Sequence, residues 1–395
     1  MATAAESIEQ IKQRIDLIAS RKAREEVEAG AKLIDVREPH EWDEAHLEGA
    51  VHVPQAELLD RISEVAPDRF ERIVLYCRTD NRSSRAADAL QDLGYENVAV
   101  MRGGIVDWQE NGLPVVAAQG LSPEQRMRYS RHTLLPEVGV EGQVKLLNSK
   151  VLLIGAGGLG APSAFYLAAA GVGTIGIVDD DVVDETNLQR QIIHTTDRVG
   201  MPKTASAKAS IEALNPDVKV VEHRTRMNAE NILDIIADYD VLLDGADNFP
   251  TRYLLNDASV RLRKPVVSAS ILAFDGQIST FVPYEGPCYR CLYPVPPPPE
   301  MAPSCGAAGV LGVMAGIMGM LQANEVIKLV AGIGEPLIDR LLLYDSLGTR
   351  FTELKVKRDP DCPVCGDSAP EIPESEMGKF PDYEAFCAGE PVLRS

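Results

Sequence analysis

A chain of 395 residues is long enough for two or three domains, and its formal net charge of −20 argues against nucleic acid or an anionic membrane as its main partner. Residues 1–20 are charged and lack the continuous apolar core of a signal peptide. The seven cysteines include two CxxC pairs. That usage fits reduced thiols and a metal site in a cytoplasmic protein better than a disulfide framework.

Residues 1–14 read as a short amphipathic helix, 15–19 as a first strand and 21–29 as a helix stopped by Gly30. Buried strands are predicted at 32–36, 73–76 and 98–101, with a helix over 84–93 ending at Gly94. Strands alternating with helices imply a small α/β domain. Its boundaries are placed at 15–118, with a linker at 119–124. A second α/β domain is placed at 125–368, and an acidic, proline-containing tail at 369–395 is expected to be ordered only where it docks.

The second domain is organised around residues 149–184. An apolar strand at 150–154 runs into Gly155-Ala156-Gly157-Gly158-Leu159-Gly160, then a helix at 161–170 and a second strand at 174–178 ending at Asp179. This βαβ pattern turns backbone N–H groups and a helix N-terminus toward an anion, with Asp179 placed for ribose hydroxyls. The glycine motif alone does not separate NAD, FAD and ATP. Further strands are predicted at 220–224, 241–243, 265–268, 278–282 and 341–344. The run 294–299 reads as an extended, proline-rich crossover, and the apolar run 306–321 as a buried helix rather than a membrane span.

Three clusters carry chemistry. Cys77 ends a strand, and Arg78, Thr79, Asp80, Asn81 and Arg82 lead to Ser83, which is expected to open a helix. Loop N–H groups, Arg82 and the helix dipole would then stabilise a thiolate or persulfide. Cys288 and Cys291, with Cys362 and Cys365, can complete a tetrahedral four-thiolate Zn²⁺ site; with no open position it would be structural. Arg190 and Lys203 are cations that a triphosphate needs and a dehydrogenase does not, and Asp247 is placed to hold Mg²⁺ at the carboxyl edge of the sheet. Together they favour ATP over NAD, leaving an NAD-dependent oxidoreductase as the remote alternative.

Asp35-Val36-Arg37, His46 to Ala50, Pro54, the Cys77 loop and Gly103-Gly104-Ile105-Val106-Asp107-Trp108 resemble a rhodanese domain. The resemblance implies that Cys77 carries persulfide sulfur. Four residues separate Cys77 from Arg82, whereas the related phosphatases use five, which favours sulfur transfer. His46 and Trp108 are expected to be structural. From Arg128 to Gly366 the chain resembles the ubiquitin-activating-type adenylyltransferases of sulfur-carrier pathways, such as those serving molybdopterin synthase and thiamine synthesis. The matching residues are Arg131, the Gly155–Gly160 turn, Asp179, Asn187 to Gln191, Lys203, Asp247, Asn248 and the four CxxC cysteines.

The resemblance implies a Rossmann-like fold with a mixed sheet and a structural zinc site. It also implies an ATP site made by Gly155, Gly157, Gly158, Gly160, Asp179, Thr186, Asn187, Leu188, Gln189, Arg190, Lys203, Asp247 and Asn248, with Arg131 reaching across a homodimer interface. The expected partner is a small ubiquitin-like sulfur carrier ending in Gly-Gly, adenylated and then thiolated by sulfur from Cys77, with a cysteine desulfurase or thiosulfate as donor. Cys305 matches the nucleophile that takes or releases the activated carrier, and Cys387 is expected to be an idle thiol. In the fused relatives the rhodanese domain usually follows the adenylyltransferase; here it comes first, and residues 382–387 resemble the linker of the usual order. An adenylyltransferase with the rhodanese domain as a docking module is the alternative.

Overall fold

The computed structural model describes residues 7–117, 120–297, 309–370 and 372–388. The chain divides into two compact units, with the boundary between Met127 and Arg128.

The first unit runs α1 (Ile8–Lys12), β1 (Asp16–Ile18), α2 (Ser20–Glu28), β2 (Lys32–Asp35), α3 (Pro39–Glu44), β3 (Ala45–His46), β4 (Val51–His52), α4 (Leu58–Val65), β5 (Ile73–Tyr76), α5 (Asn81–Asp92), β6 (Val98–Met101), α6 (Gly104–Glu110) and β7 (Val116–Ala117). Five strands form a wholly parallel sheet in the order β1-β6-β5-β2-β4. Strands β5 and β6 are buried along their whole length, as central parallel strands require. Helix α1 ends at Lys12, two residues before the predicted end, and is capped by Ser7, whose side chain and that of Gln10 form a capping box; residues 1–6 of the predicted helix lie outside the described residues. Helix α5 begins at Asn81, so Ser83 lies inside its first turn instead of opening it.

Helix α7 (Pro123–Arg128) ends at the boundary, and the second unit continues with α8 (Ser130–Thr133) and α9 (Gly139–Asn148). Next come β8 (Lys150–Ile154), α10 (Gly160–Ala170), β9 (Thr174–Val178), α11 (Lys203–Leu214), β10 (Lys219–His223), α12 (Ile232–Ala237), β11 (Val241–Asp244), α13 (Phe249–Leu262), β12 (Val266–Leu272), β13 (Asp275–Phe281) and α14 (Tyr289–Leu292). A long helix Gly312–Ala331, β14 (Arg340–Asp345), β15 (Arg350–Lys355) and a last helix Tyr383–Cys387 complete it. The eight-stranded sheet has the order β10-β9-β8-β11-β12-β13-β14-β15. It is parallel from β10 to β12 and antiparallel from β12 to β15, the mixed sheet expected.

Gly312–Ala331 is long and apolar enough to cross a membrane by length and composition alone. It instead packs on α10 and on β12 and β13, burying Met314, Met318, Gln322, Glu325 and Val326. It extends ten residues past the predicted end at Leu321, because its polar residues there are satisfied inside the core. Gln322 Nε2 donates to the carbonyls of Asp244 and Val267, and Glu325 Oε2 accepts from Leu337 N and Thr280 Oγ1. Residues 372–388 dock on the unit through Tyr383 Oη, which donates to Asp257 Oδ2 over 2.7 Å.

The β8–α10 turn is tightly packed. Gly155 has φ +98°, open to glycine alone at little cost. A Cβ on Gly160 would stand 2.1 Å from the Gly155 carbonyl oxygen. Gly160→Ala is therefore expected to destabilise the chain by at least about 2 kcal/mol in urea unfolding, as overpacking does. Gly316→Ala, whose Cβ would meet nothing within 4 Å, is the control and should be neutral or slightly stabilising.

Candidate active sites

In the first unit Cys77 follows β5 and is 1% exposed. Ser83 Oγ donates toward its Sγ over 3.4 Å. The carbonyls of Cys77 and Arg78 accept from Ile105 N and Val106 N at the start of α6. That docking needs a bare Gly104, where a Cβ would lie 2.3 Å from the Cys77 and Thr79 oxygens. Arg78 is exposed. Arg82 is not free to face the sulfur alone, because it grips Glu41 with two hydrogen bonds of 2.5 and 2.7 Å. That contact raises the Arg82 pKa and, against the cost of burial, holds the Glu41 carboxyl below its usual range. His46 stacks on Trp42 at 3.7 Å, and the buried Trp108 donates to the Pro114 carbonyl, so both are occupied with packing.

In the second unit the glycine turn is clamped at Ala156. Its N–H donates to Asp179 Oδ2 over 2.8 Å. Its carbonyl lies 3.0 Å from His194 Nε2. A carbonyl only accepts, so Nε2 carries the proton and Nδ1 accepts from Ser206 Oγ at 2.9 Å. Burial pushes the Asp179 carboxyl up and the His194 imidazole down from their ordinary values.

Gly158 lies under Arg190: a Cβ there would be 3.7 Å from Arg190 Cγ. The Arg190 guanidinium donates to the Thr186 carbonyl and to Asn187 Oδ1, which also accepts from Gln191 Nε2. Asn187 and Leu188 are half-buried, while Thr186 and Gln189 are exposed. Lys203 is buried to 5% exposure, with its Nζ 2.7 Å from Asp181 Oδ2. The segment after β11 runs beside the turn, since a Cβ on Gly245 would lie 3.6 Å from the Gly155 oxygen. Asp247, two residues on, is exposed and accepts from Asn248 Nδ2; Asn248 Oδ1 in turn caps α13. Arg131 is exposed on α8. Cys305 lies outside the described residues.

The four CxxC sulfurs converge. All lie within 4.8 Å of one another, with Cys288–Cys362 at 3.7 Å, Cys288–Cys291 at 3.9 Å and Cys291–Cys365 at 3.4 Å. Sulfurs at the corners of a tetrahedral zinc site stand about 3.8 Å apart, so the set fits a metal. Asn256 Nδ2 and Asp359 N donate toward Cys288 and Cys291. Cys387 is half-buried beside Tyr253, and its thiol is pushed up to about 11, chiefly by burial.

Sequence reasoning missed His194, Asp181 and Glu41. It also missed Arg252, which is buried and donates to the carbonyls of Ala246 and Ala269. Asp181 was visible in the run Asp179-Asp180-Asp181, whose carboxylates cluster; the others carry no local signal.

The profile of the ThiF family matches residues 129–364, and that of the rhodanese-like domain residues 19–111. The chain is 49% identical over 269 residues to the sulfur carrier protein adenylyltransferase of Thermus thermophilus, covering 67% of this chain and 97% of that protein. It is 50% identical over 279 residues to the probable adenylyltransferase/sulfurtransferase MoeZ of Mycobacterium tuberculosis, covering 69% and 68%. Among solved structures, E. coli MccB with ATP superposes with a TM-score of 0.55 at 26% identity, over 66% of this chain and 80% of that one.

His194 yields a pH signature. Its folded pKa is depressed, so its contribution to stability is fully present above the ordinary value of about 6.5 and is lost progressively as the pH falls below it. Unfolding free energy measured from neutral pH down to about pH 5.5 should fall more steeply for the wild type than for His194→Gln. Equal slopes would show that the ring is not held neutral.

Proposed function

Because the chain belongs to the ThiF family and carries a rhodanese-like domain ahead of that match, we propose that it is a bifunctional enzyme making a thiocarboxylate on a small ubiquitin-like sulfur carrier. The observation that carries the reading is the clamped glycine turn, with the Arg190 side chain lying over Gly158. ATP is the first substrate. The carrier's C-terminal glycine carboxylate attacks the α-phosphorus, and pyrophosphate leaves.

The turn from Gly155 through Gly157 and Gly158 to Gly160 receives the phosphates, and Asp179 faces the ribose. Residues Thr186, Asn187, Leu188, Gln189 and Asn248 line the nucleotide. Arg190 and Lys203 offset the charge on the departing pyrophosphate, and Arg131 of the partner subunit completes the site in a homodimer. Asp247 would hold Mg²⁺, which neutralises phosphate charge. Cys288, Cys291, Cys362 and Cys365 would hold a structural Zn²⁺ with no position left for water.

In the second half-reaction the outer sulfur of a Cys77 persulfide attacks the acyl carbonyl, and the bond to AMP breaks. The product is an acyl disulfide. Attack by the Cys305 thiolate on the Cys77 sulfur frees the thiocarboxylate and leaves a Cys77–Cys305 disulfide, which a cellular dithiol reopens. Thiosulfate or a cysteine desulfurase reloads Cys77. The setting proposed is the cytoplasm.

Two experiments test this. The chain, ATP, thiosulfate, a dithiol and a carrier ending in Gly-Gly should together give a carrier whose mass reports one oxygen exchanged for sulfur. Cys77→Ala should lose that product and thiosulfate cleavage but keep carrier-dependent pyrophosphate exchange; unchanged thiocarboxylate yield would leave an adenylyltransferase alone. Elemental analysis should find about one zinc per chain. Cys365→Ala should lose that zinc and melt earlier, and a metal-free wild type of equal stability would sink the zinc assignment.

A further inference from the structure

Asp80 occupies the N-cap position of α5, in the loop that carries Cys77. An aspartate there ordinarily turns its carboxylate onto the N–H groups of the first helical turn. Asp80 makes no such cap. Its Oδ1 lies 2.5 Å from Lys12 Nζ, and its Oδ2 accepts from Gly103 N over 3.1 Å. The pair is largely shielded, at 19% and 15% side-chain exposure. Lys12 comes from α1, ahead of the stretch matched by the rhodanese-like profile.

Two features make this arrangement consequential. The first turn of α5 lies beside the buried Cys77 sulfur, as the 3.4 Å contact from Ser83 Oγ records. The other charges around the loop do not favour an anion strongly. Arg82 does feel the Cys77 sulfur, but it is paired with Glu41, which holds it more strongly, and also feels Glu38; Arg78 is exposed. Besides Ser83 Oγ, backbone N–H groups are then the main donors left for a sulfur anion, and a carboxylate turned onto them would compete directly.

We propose that Lys12 is a positioning residue of the sulfurtransferase site: by holding the Asp80 carboxylate off the first turn of α5, it keeps that turn's N–H groups available to the sulfur anion on Cys77. This rests on the reading of Cys77 as the sulfur-bearing residue.

Lys12→Met keeps the side-chain stem and removes the charge. The readout is the pH midpoint of thiolate ultraviolet absorbance, taken for each full-length variant minus the same variant carrying Cys77→Ala, so that the other cysteines cancel. Lys12→Met should raise the midpoint by about one unit and lower thiosulfate cleavage at neutral pH about tenfold, mainly in kcat. Lys12→Arg should restore both, as should Lys12→Met combined with Asp80→Ala, because no carboxylate then remains to swing in. An unshifted midpoint in Lys12→Met overturns the proposal. So does a double variant as impaired as Lys12→Met, which would mean that the lysine charge or the packing of α1 is what matters. If Cys77→Ala itself still cleaves thiosulfate, the sulfur-bearing assignment fails, whereas the absorbance titration continues to report on Lys12 and Asp80.

Discussion

The second unit depends on how Ala156 is held. Both polar groups of one peptide-bearing residue are clamped from different directions: the N–H by Asp179 at the end of β9, the carbonyl by His194 ahead of α11. The clamp sits in a turn with no room for side chains at Gly160. The same turn meets the segment after β11 at Gly245, and α10 meets the long helix Gly312–Ala331 where a Cβ on Gly319 would strike the Leu159 carbonyl. On the proposed reading this loop aims its amides at phosphate charge, and it gains from being fixed before the charge arrives, since no reorganisation is then needed at the moment of reaction. His194 does this while neutral. Were it protonated, its Nδ1–H would confront Ser206 Oγ, which could still accept, but the buried charge would be left near Lys203 and Arg198.

A second constraint ties the cysteine knuckles to the rest of the unit. Arg290 lies between Cys288 and Cys291 and makes a two-point contact with Asp257 on α13. A buried ion pair of this kind is weak evidence for stability unless its remaining lone pairs are used. Here they are: Asp257 also accepts from Asn256 Nδ2 and from Tyr383 Oη. The guanidinium is covered by the rings of Tyr253 and Phe386, at 4.9 and 4.8 Å. Residues 382–387, the stretch likened to the linker of the usual domain order, thus have a structural occupation in this chain. They complete the shell around a polar pair that anchors one half of the candidate metal site.

What could be read from the sequence followed where side chains report on burial. Strands β5, β6, β8 and β9 are short apolar runs buried on both faces, and their ends fall where the runs end. Helix α13 gave no such signal, because it buries Arg252, Asn256, Asp257 and Ser259 along with its apolar residues. Strand β15 was missed for the opposite reason: all six of its residues are exposed. The same division runs through the sites. The glycine turn, Asp179, Arg190 and the CxxC pairs are local patterns. His194, Glu41 and Lys12 act on residues 38, 41 and 68 positions away, a relation that only the folded chain creates.

The two candidate sites also differ in how their cations are committed, and this bears on what each can bind. Lys203 is buried, but its partner Asp181 is two-thirds exposed. A pair with one solvated partner is held weakly, so an arriving phosphate can take the lysine while Asp181 returns to water. Arg82 is held by both oxygens of Glu41, whose side chain is only 15% exposed, and breaking that fork would strand a carboxylate in a poorly hydrated place. The first site can therefore exchange a carboxylate for a strongly charged ligand, as a triphosphate is on the proposed reading. The second keeps its arginine engaged, so that on the proposed reading a singly charged sulfur there would be met chiefly by backbone dipoles.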